Sequence, residues 1–197
     1  MHRHKIAPID EVLSLIPIGS SVLDIGCGGG LLLNCAAALG RISAGRGFDV
    51  SESAISVAVN AADALQSIAH SCRPYFEVRS VEAGLPEGQF DVVCLVDVLH
   101  HIPRVHQISA LDSALSRVRP GGLLIVKEMM SRPAWHSIMN RLHDLLMARQ
   151  WISYLDEGRL KAWASHRALT IDSERHARML WYSHQLHAYR RPHDLPP

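Results

Sequence analysis

The glycine-rich stretch Asp24-Ile25-Gly26-Cys27-Gly28-Gly29-Gly30 has the residue types and spacing that point most directly to chemistry. A short apolar run ends at its first residues, and an alanine-rich apolar run, residues 31–39, follows it. Glycines at alternate positions carry no Cβ atom, so a ligand can lie against the backbone and the turn can adopt positive φ angles. The amide groups at the start of the next helix add hydrogen-bond donors. The pattern predicts a ligand-binding turn between a buried strand and a helix.

Two acidic residues indicate the charge and the chemical groups of the expected ligand. Asp24, at the end of the predicted first strand, does not suit a nearby pyrophosphate but suits a ligand with positive charge, such as a sulfonium or an ammonium group. A nicotinamide-type turn would need a third glycine where the sequence has Leu31. Asp49 lies nineteen residues past Gly30, at the end of the predicted second strand. A carboxylate there can accept hydrogen bonds from both hydroxyls of a ribose.

Strand and helix signals alternate up to about residue 128. Ser51 or Ser53 can cap the second helix, and Pro103 is predicted to open a third helix that ends at the Pro120-Gly121-Gly122 stretch. This β-α-β rhythm predicts a doubly wound α/β fold, a sheet between two layers of helices. The predicted strands cover residues 22–25, 75–79, 90–97 and 123–126, and one further strand ends in residues 47–50. The predicted helices cover residues 31–39, 54–69 and 103–118.

The composition is that of an ordinary globular protein: of 197 residues, 48% are hydrophobic and 20% are charged, with a net charge of +1. No basic cluster is long enough for a nucleic-acid footprint, and no apolar stretch reaches the about 18 residues of a membrane span. The basic N-terminus is not followed by the apolar segment of a signal peptide. Four scattered cysteines and thirteen histidines match no closed metal pattern. We therefore expect a cytoplasmic protein with reduced thiols that binds no metal and no nucleic acid.

Five motifs, in order over about residues 20–128, resemble those of small-molecule class I S-adenosylmethionine (SAM)-dependent methyltransferases. The resemblance implies a mostly parallel seven-stranded sheet with the last strand antiparallel, and SAM as the cofactor at the carboxyl ends of the strands. The matching segments are residues 22–30 (motif I), residues 48–51 (the second motif), residues 85–93 (the approach to the fourth strand), residues 98–102 (the loop after it) and residues 115–124 (a helix-turn-strand unit).

The same resemblance implies which residues bind the methionine portion of SAM. Gly26 and Gly28 would line it, and Val96, at the end of the fourth strand, would contact it through its backbone. Asp24 and Cys27 belong to the same turn and are included in the predicted cofactor site.

For the nucleoside portion, the resemblance implies that Asp49 holds the ribose and that Val50 packs on the adenine. Many members of the family bind the adenine amino group with an Asp, but the matching position here is Val81. Either Glu82, the next residue, or the backbone takes that role. Arg3 lies near the place where relatives have an arginine for the SAM carboxylate.

Two histidines are candidate catalytic bases. The methyl group of a sulfonium is already activated, so the enzyme mainly aligns the acceptor and excludes water. A hydroxyl acceptor also benefits from a base with a pKa near neutral, as histidine has. His100 and His101 follow the predicted fourth strand, and we predict His101 as the base, with His100 as the second candidate. The alternative is that one histidine caps the next helix and the other is structural.

The prediction for the whole chain is a single domain. It consists of an N-terminal helix in residues 1–20, the SAM-binding core in 21–128, an acceptor-side insertion in 129–165 and C-terminal strands in 166–197. Residues 140–151 resemble methyltransferases of bacterial pigment and polyene gene clusters, which favours O-methylation of an aromatic or polyketide-like acceptor. The insertion contains residues that suit such an acceptor, although they could also be plain core: Met129, Met130, Trp135, Trp151 and Tyr154.

Three other functions stay open at this point. The chain could be a non-catalytic SAM-binding partner protein. It could also be a nicotinamide-dependent oxidoreductase, although Leu31 in place of the third glycine disfavours this. A protein or nucleic-acid methyltransferase is disfavoured because no Asn-Pro-Pro-Tyr-type motif follows the fourth strand. We expect a small-molecule acceptor, no membrane span and no metal, and we leave a homodimer open.

Overall fold

A seven-stranded sheet with the strand order β3-β2-β1-β4-β5-β7-β6 forms the centre of the computed structural model. The structure describes residues 9–66, 72–129, 155–179 and 182–193. The strands are β1 (Ser20–Ile25), β2 (Ile42–Asp49), β3 (Tyr75–Val78), β4 (Phe90–Val96), β5 (Val118–Met129), β6 (Thr170–Met179) and β7 (Tyr182–Arg190). The helices are α1 (Ile9–Leu15), α2 (Leu31–Ala38), α3 (Glu52–Gln66), α4 (Gln107–Ser116) and α5 (Glu157–His166), with 3₁₀ turns at Val81–Ala83 and Leu99–His101.

The strand directions explain where a ligand can bind. Strands β1 to β5 are parallel, whereas β7 is antiparallel to both β5 and β6. The chain reverses its direction of travel across the sheet between β1 and β4, and the carboxyl ends of these neighbouring strands diverge there to leave a crevice. The predicted doubly wound, mostly parallel seven-stranded fold is confirmed.

Two apolar cores cover the two faces of the sheet, as a three-layer arrangement requires. On one face, side chains such as Leu95 and Leu124 pack against α4 and α5. On the other face, side chains such as Cys94 and Ile125 pack against α1, α2 and α3. The central strands are apolar on both faces because both faces are buried.

The predicted third helix is wrong at both ends. It was expected to run from Pro103 into Val118, but α4 begins at Gln107 and Val118 starts strand β5. The backbone amide of His106 donates to the Pro103 carbonyl at 2.8 Å, so residues 103–106 form a turn rather than a helical start. The predicted stop at residues 120–122 lies inside β5, where the backbone of Gly121 and Gly122 hydrogen-bonds with Arg191 at the end of the sheet.

The predicted domain boundaries are compatible with these elements and stay a prediction. Helix α1 lies within residues 1–20, strands β1 to β5 lie within one residue of the interval 21–128, and β6 and β7 lie in the C-terminal segment. The acceptor-side residues Met130, Trp135, Trp151 and Tyr154, like Arg3, lie outside the described residues, and Met129 is described only as the end of β5. None of the helices in the described part of the chain has the length and apolar character needed to cross a bilayer.

Candidate active site

A cavity of about 920 Å³ opens at the carboxyl ends of β1, β2 and β4. Its size lies within the roughly 300–1,000 Å³ of typical small-molecule sites. Among the predicted site residues, seven line this cavity: Gly26, Gly28, Asp49, Val50, Glu82, Val96 and His101. Asp24, Cys27 and His100 are not among the lining residues.

The glycine turn meets the loop after β4 at Gly26. This residue has a φ of +68°, and a Cβ atom added to it would lie 2.6 Å from Cγ2 of Val98. A side chain here would therefore both strain the backbone and push the loop away. The absence of a side chain lets the two walls of the cavity approach each other.

Asp49 connects the glycine turn to the residues that follow β2. Its Oδ2 accepts a hydrogen bond from the Gly28 amide and its Oδ1 accepts one from the Ser51 amide, both at 2.9 Å. Each carboxylate oxygen can accept a further hydrogen bond, so the group keeps capacity for two ribose hydroxyls. The bond to Gly28 also ties the carboxylate to the glycine turn. These features fit the predicted nucleoside cofactor.

Asp24 and Cys27 lie behind the lining of the cavity. Asp24 is buried, and burial together with the nearby charge of Asp49 raises its pKa to about 7. Burial and the same two carboxyl groups also raise the pKa of the Cys27 thiol, so this cysteine is not a reactive thiolate. Asp24 can therefore change its charge near neutral pH when a cationic ligand arrives. The Cys27 backbone amide donates to the Phe48 carbonyl at 2.9 Å and so ties the turn to the end of β2.

The expected adenine end of the cavity is formed by Val50, Arg79, Val81 and Glu82. The Val50 side chain is 69% exposed, an uncovered apolar surface on which a flat ring can stack. The pKa of Glu82 is lowered, first by a hydrogen bond from its own backbone amide and then by one from Ser80. Glu82 is thus an ionised acceptor at the position where the sequence left adenine recognition open.

The loop after β4 separates the two candidate bases. His101 is exposed and lines the cavity, whereas His100 is buried and its Nδ1 lies 2.7 Å from Oε2 of Glu128. The two imidazole rings contact each other, with their centroids 4.1 Å apart. Of the two, His101 has the access to an acceptor that a catalytic base requires.

Two side chains hold the backbone of this loop. Glu128 Oε1 accepts hydrogen bonds from the amides of Val98 at 2.9 Å and Leu99 at 2.6 Å. Gln107 Nε2, from the first turn of α4, donates to the carbonyl of Leu99 at 3.0 Å and more weakly to that of Ile102 at 3.3 Å. Because Glu128 is fully buried, its charge requires these donors.

A second buried charge lies next to the loop. Lys127 Nζ donates to Oδ2 of Asp97 at 2.5 Å, and Asp97 lines the cavity with a φ of +57°. Asp97, His100 and Glu128 bring ligand atoms within 4.8 Å of one another, the spacing of a metal site. Their oxygens already accept hydrogen bonds from Lys127, from His100 and from backbone amides. The predicted absence of a metal stays a prediction, and the contacts here are those of a hydrogen-bonded network.

Lys127, Glu128 and Gln107 were missed by the sequence reasoning. One signal was available, because two charged residues directly continue the apolar run 123–126 of a predicted buried strand. Charges at such positions are rarely left without partners. The partners themselves cannot be identified from the pattern of the sequence.

Comparison with known families decides what kind of protein has this site. The sequence profile of the family described as "Methyltransferase domain" matches residues 1–174. The chain is a member of the class I SAM-dependent methyltransferase family. The family predicted from the five motifs is thereby confirmed, with the SAM cofactor and the methyltransferase class that define this family, and the nicotinamide alternative is set aside.

Similar sequences include ubiquinone biosynthesis O-methyltransferases. The enzyme of Xanthomonas campestris pv. campestris (strain B100) is 32% identical over 137 residues, which are 66% of this chain and 53% of that protein. The enzyme of Coxiella burnetii (strain Dugway 5J108-111) is 37% identical over 107 residues, 54% of this chain and 42% of that protein. The methyltransferase chain thus spans about half the length of the curated relatives it matches.

Solved methyltransferase structures share the fold at low sequence identity. Magnesium protoporphyrin IX methyltransferase from Synechocystis PCC 6803 with bound S-adenosylhomocysteine (SAH) has a TM-score of 0.74 at 20% identity, covering 95% of this chain and 83% of that one. The N-methyltransferase NodS from Bradyrhizobium japonicum WM9 has a TM-score of 0.68 at 18% identity, covering 94% of each chain. Because these structures include an N-methyltransferase, the fold does not decide which atom is methylated.

Proposed function

We propose that this methyltransferase transfers the methyl group of SAM to a hydroxyl of a small aromatic or polyketide-like acceptor, with His101 as the base. The observation that carries the proposal is that His101 lines the same cavity as Gly26, Asp49 and Val96. A base and a cofactor site that share one cavity can act on one acceptor molecule.

The cavity residues fit bound SAM in the following way. Asp49 would accept the ribose hydroxyls, Val50 would stack on adenine with Glu82 at its amino group, and the backbone of Gly26 and Val96 would line the methionine portion. When bound, SAM supplies a methyl group on a positively charged sulfur, and the acceptor oxygen takes that group as SAH leaves.

His101 would remove the proton of the acceptor hydroxyl as the new carbon–oxygen bond forms. The proton remains on the imidazole until solvent or buffer takes it away. The rest of the loop would keep the acceptor in line with the carbon–sulfur bond, because alignment accounts for much of the rate of such a transfer.

Oxygen is favoured over nitrogen as the acceptor atom by sequence similarity and by chemistry. The curated relatives described above are named O-methyltransferases. A phenol also gains more from a neighbouring histidine than an amine does, because a neutral amine already has a free electron pair. An N-methyltransferase remains the competing outcome of the test.

The first experiment is calorimetric titration of the purified protein with SAM and with SAH, beside the Asp49→Ala variant and with NADH as a control ligand. We expect micromolar binding of both adenosyl ligands, at least about 100-fold weaker binding by Asp49→Ala because two charge-assisted hydrogen bonds are lost, and no binding of NADH. An acceptor screen with methyl-labelled SAM, beginning with phenols and including matched anilines, would follow.

The His101→Gln variant separates the candidate functions. If His101 is the base, this variant binds SAH normally and loses about 10²- to 10⁴-fold in kcat with a phenol. Transfer to anilines alone, or unchanged kcat in His101→Gln, would overturn the assignment of the base. Binding of SAM without transfer to any acceptor would favour the non-catalytic partner protein.

We also propose a cytoplasmic protein, as the sequence predicted, since all four cysteines are free thiols. A small-molecule acceptor is consistent with the named relatives. The expectation of no nucleic-acid partner and the open question of a homodimer stay predictions that the acceptor screen and light scattering would test.

A further inference from the structure

Glu128 is connected to both candidate histidines although it does not line the cavity. Its side chain projects from the end of β5 and is 1% exposed. Its carboxylate lies within hydrogen-bond distance of three groups in a row along the loop after β4: the amides of Val98 and Leu99, which donate to it, and Nδ1 of His100. The next residue, His101, faces the cavity, and its ring contacts the ring of His100.

The hydrogen-bond geometry restricts the protonation of His100. An ionised carboxylate only accepts hydrogen bonds, so His100 must carry its proton on Nδ1 to pair with Glu128. The Glu128 carboxylate therefore selects one tautomer of a buried imidazole. The 2.7 Å separation and the burial of both side chains make this a strong restriction, because no water competes for the carboxylate.

We infer that Glu128 is a positioning residue that fixes the loop backbone and the tautomer of His100, and thereby the place and the basicity of His101. The inference rests on the proposed role of His101 as the base. A negative charge behind His100 favours the protonated form of a neighbouring imidazole, so Glu128 should make His101 a stronger base than it would otherwise be.

Other charged groups around the cavity also act on His101. The ionisable groups that line the cavity or lie directly beneath the loop are Asp49, Arg79, Glu82, Asp97, His106, His100, Lys127 and Glu128. The acidic groups among them raise the basicity of His101, whereas Arg79, Lys127 and protonated His106 oppose it. Glu128 differs from the other acids because it is fully buried and because it also holds the loop in place.

The Glu128→Gln variant removes the negative charge of the side chain while keeping nearly the same shape. The amide oxygen of glutamine can still accept the Val98 and Leu99 amides, which preserves the loop. Its NH₂ group then faces Nδ1 of His100 and forces the imidazole proton onto Nε2. Glu174→Gln is the matched control, because Glu174 lies on the edge strand β6, pairs with Lys161 and does not line the cavity.

The test is nitrogen-15 NMR of histidine-labelled protein in complex with SAH, which requires no acceptor. We expect wild type and Glu174→Gln to show His100 protonated on Nδ1. Glu128→Gln should show it protonated on Nε2, with the pKa of His101 lower by about one pH unit. His100 protonated on Nε2 in the wild type would overturn the inference without any variant, and so would an unchanged His101 pKa in folded Glu128→Gln.

The activity assay adds a readout that a purely structural role would not move. With an acceptor in hand, Glu128→Gln should lower kcat at pH 8 by about three- to tenfold and shift the acid limb of its pH profile to lower pH, with the KM for SAM unchanged. A parallel rise in the KM for SAM, with an unshifted profile, would point to loop damage and would contradict the inference. If His101→Gln shows that His101 is not the base while the NMR results hold, the proposed base fails and the loop-positioning role of Glu128 remains.

Discussion

The two sides of the cavity differ in what forms them: backbone on one side and paired charged side chains on the other. On the glycine side, residues 24–30 and 49–51, the glycine backbone lines the cavity, and Asp49 is the one charged residue of these segments in the lining. On the charged side, residues 97–101 with Lys127 and Glu128, the loop is held by two buried charges that reach across from the neighbouring strand. The glycine side is set by the shape of the main chain, whereas the charged side is set by pairs of side chains. The loss of stability caused by a substitution on the glycine side should not be restored by a second substitution. On the charged side, the loss caused by removing one charge should be largely restored by also removing the charge of its partner.

Gly30→Ala should be the most damaging change on the glycine side. Gly30 has a φ of +71°, and an added Cβ atom would lie 2.7 Å from the Ala58 Cβ and 2.8 Å from the Phe76 ring. We expect the free energy of unfolding to fall by about 4 kcal/mol, from a left-handed backbone combined with overpacking. Gly40→Ala, at the other end of α2, is the control, because its φ is +63° with no atom within 4 Å. It should cost only about 1 kcal/mol. Equal losses in urea unfolding would show that the packing around Gly30 is unimportant.

Lys127→Met tests the charged side. The Lys127 side chain is 1% exposed, so its removal leaves the Asp97 carboxylate without its buried partner. We expect the free energy of unfolding to fall by about 3 kcal/mol. The double variant Lys127→Met with Asp97→Asn should fall by only about 1 kcal/mol, because no uncompensated charge remains. Additive losses in this double-mutant cycle would remove the distinction between the two sides.

Asp24 adds a pH dependence to the glycine side. Its pKa of about 7 means that it is largely protonated in the free protein at pH 6, and a bound sulfonium favours its ionised form. SAM affinity should therefore rise between pH 5.5 and 7 by up to about tenfold per pH unit and level off above pH 7. Calorimetric titration at several pH values measures this. The slope should vanish in Asp24→Asn and should be smaller for SAH, which lacks the sulfonium charge.

The same shift has a consequence for stability. Because the folded-state pKa of Asp24 lies above the ordinary value of about 3.9 for an aspartate, the native protein keeps a proton that the unfolded chain releases. The contribution of Asp24 to the free energy of unfolding is fully present below about pH 4 and is lost as the pH rises towards 7. In Asp24→Asn this part of the pH dependence should disappear from urea unfolding curves.

Ser51→Ala should have the smallest effect. Ser51 Oγ accepts the Ala54 amide at 3.2 Å and so caps α3, as the sequence predicted for Ser51 or Ser53. Loss of the cap should lower the free energy of unfolding by about 1 kcal/mol. Ser53→Ala, on the exposed side of the same turn, should change it by less than about 0.5 kcal/mol. Thermal unfolding of the two variants, measured side by side, would distinguish these two losses of stability. A larger loss for Ser53→Ala would show that Ser53, and not Ser51, caps the helix.

The sequence by itself determined the glycine turn, the acidic residue Asp49 and the order of the alternating strands and helices. These features depend on the conformation that a few consecutive residues adopt, or on an alternation that repeats along the chain, so they can be read locally. Val50 directly follows β2 and Glu82 lies four residues past the end of β3, and both line the cavity. Their predicted roles at the adenine stay predictions.

The tertiary structure alone decided how the charged side is assembled. Lys127 and Glu128 reach the loop after β4 because β5 pairs with β4 in a register that places Lys127 beside Val96, about thirty residues away in sequence. The same register buries His100 against Glu128 and leaves His101 at the cavity, a choice between adjacent identical residues that no local pattern could make. Pairing between distant strands fixes which side chains meet, and that information lies in the packed sheet rather than in any one segment of the chain.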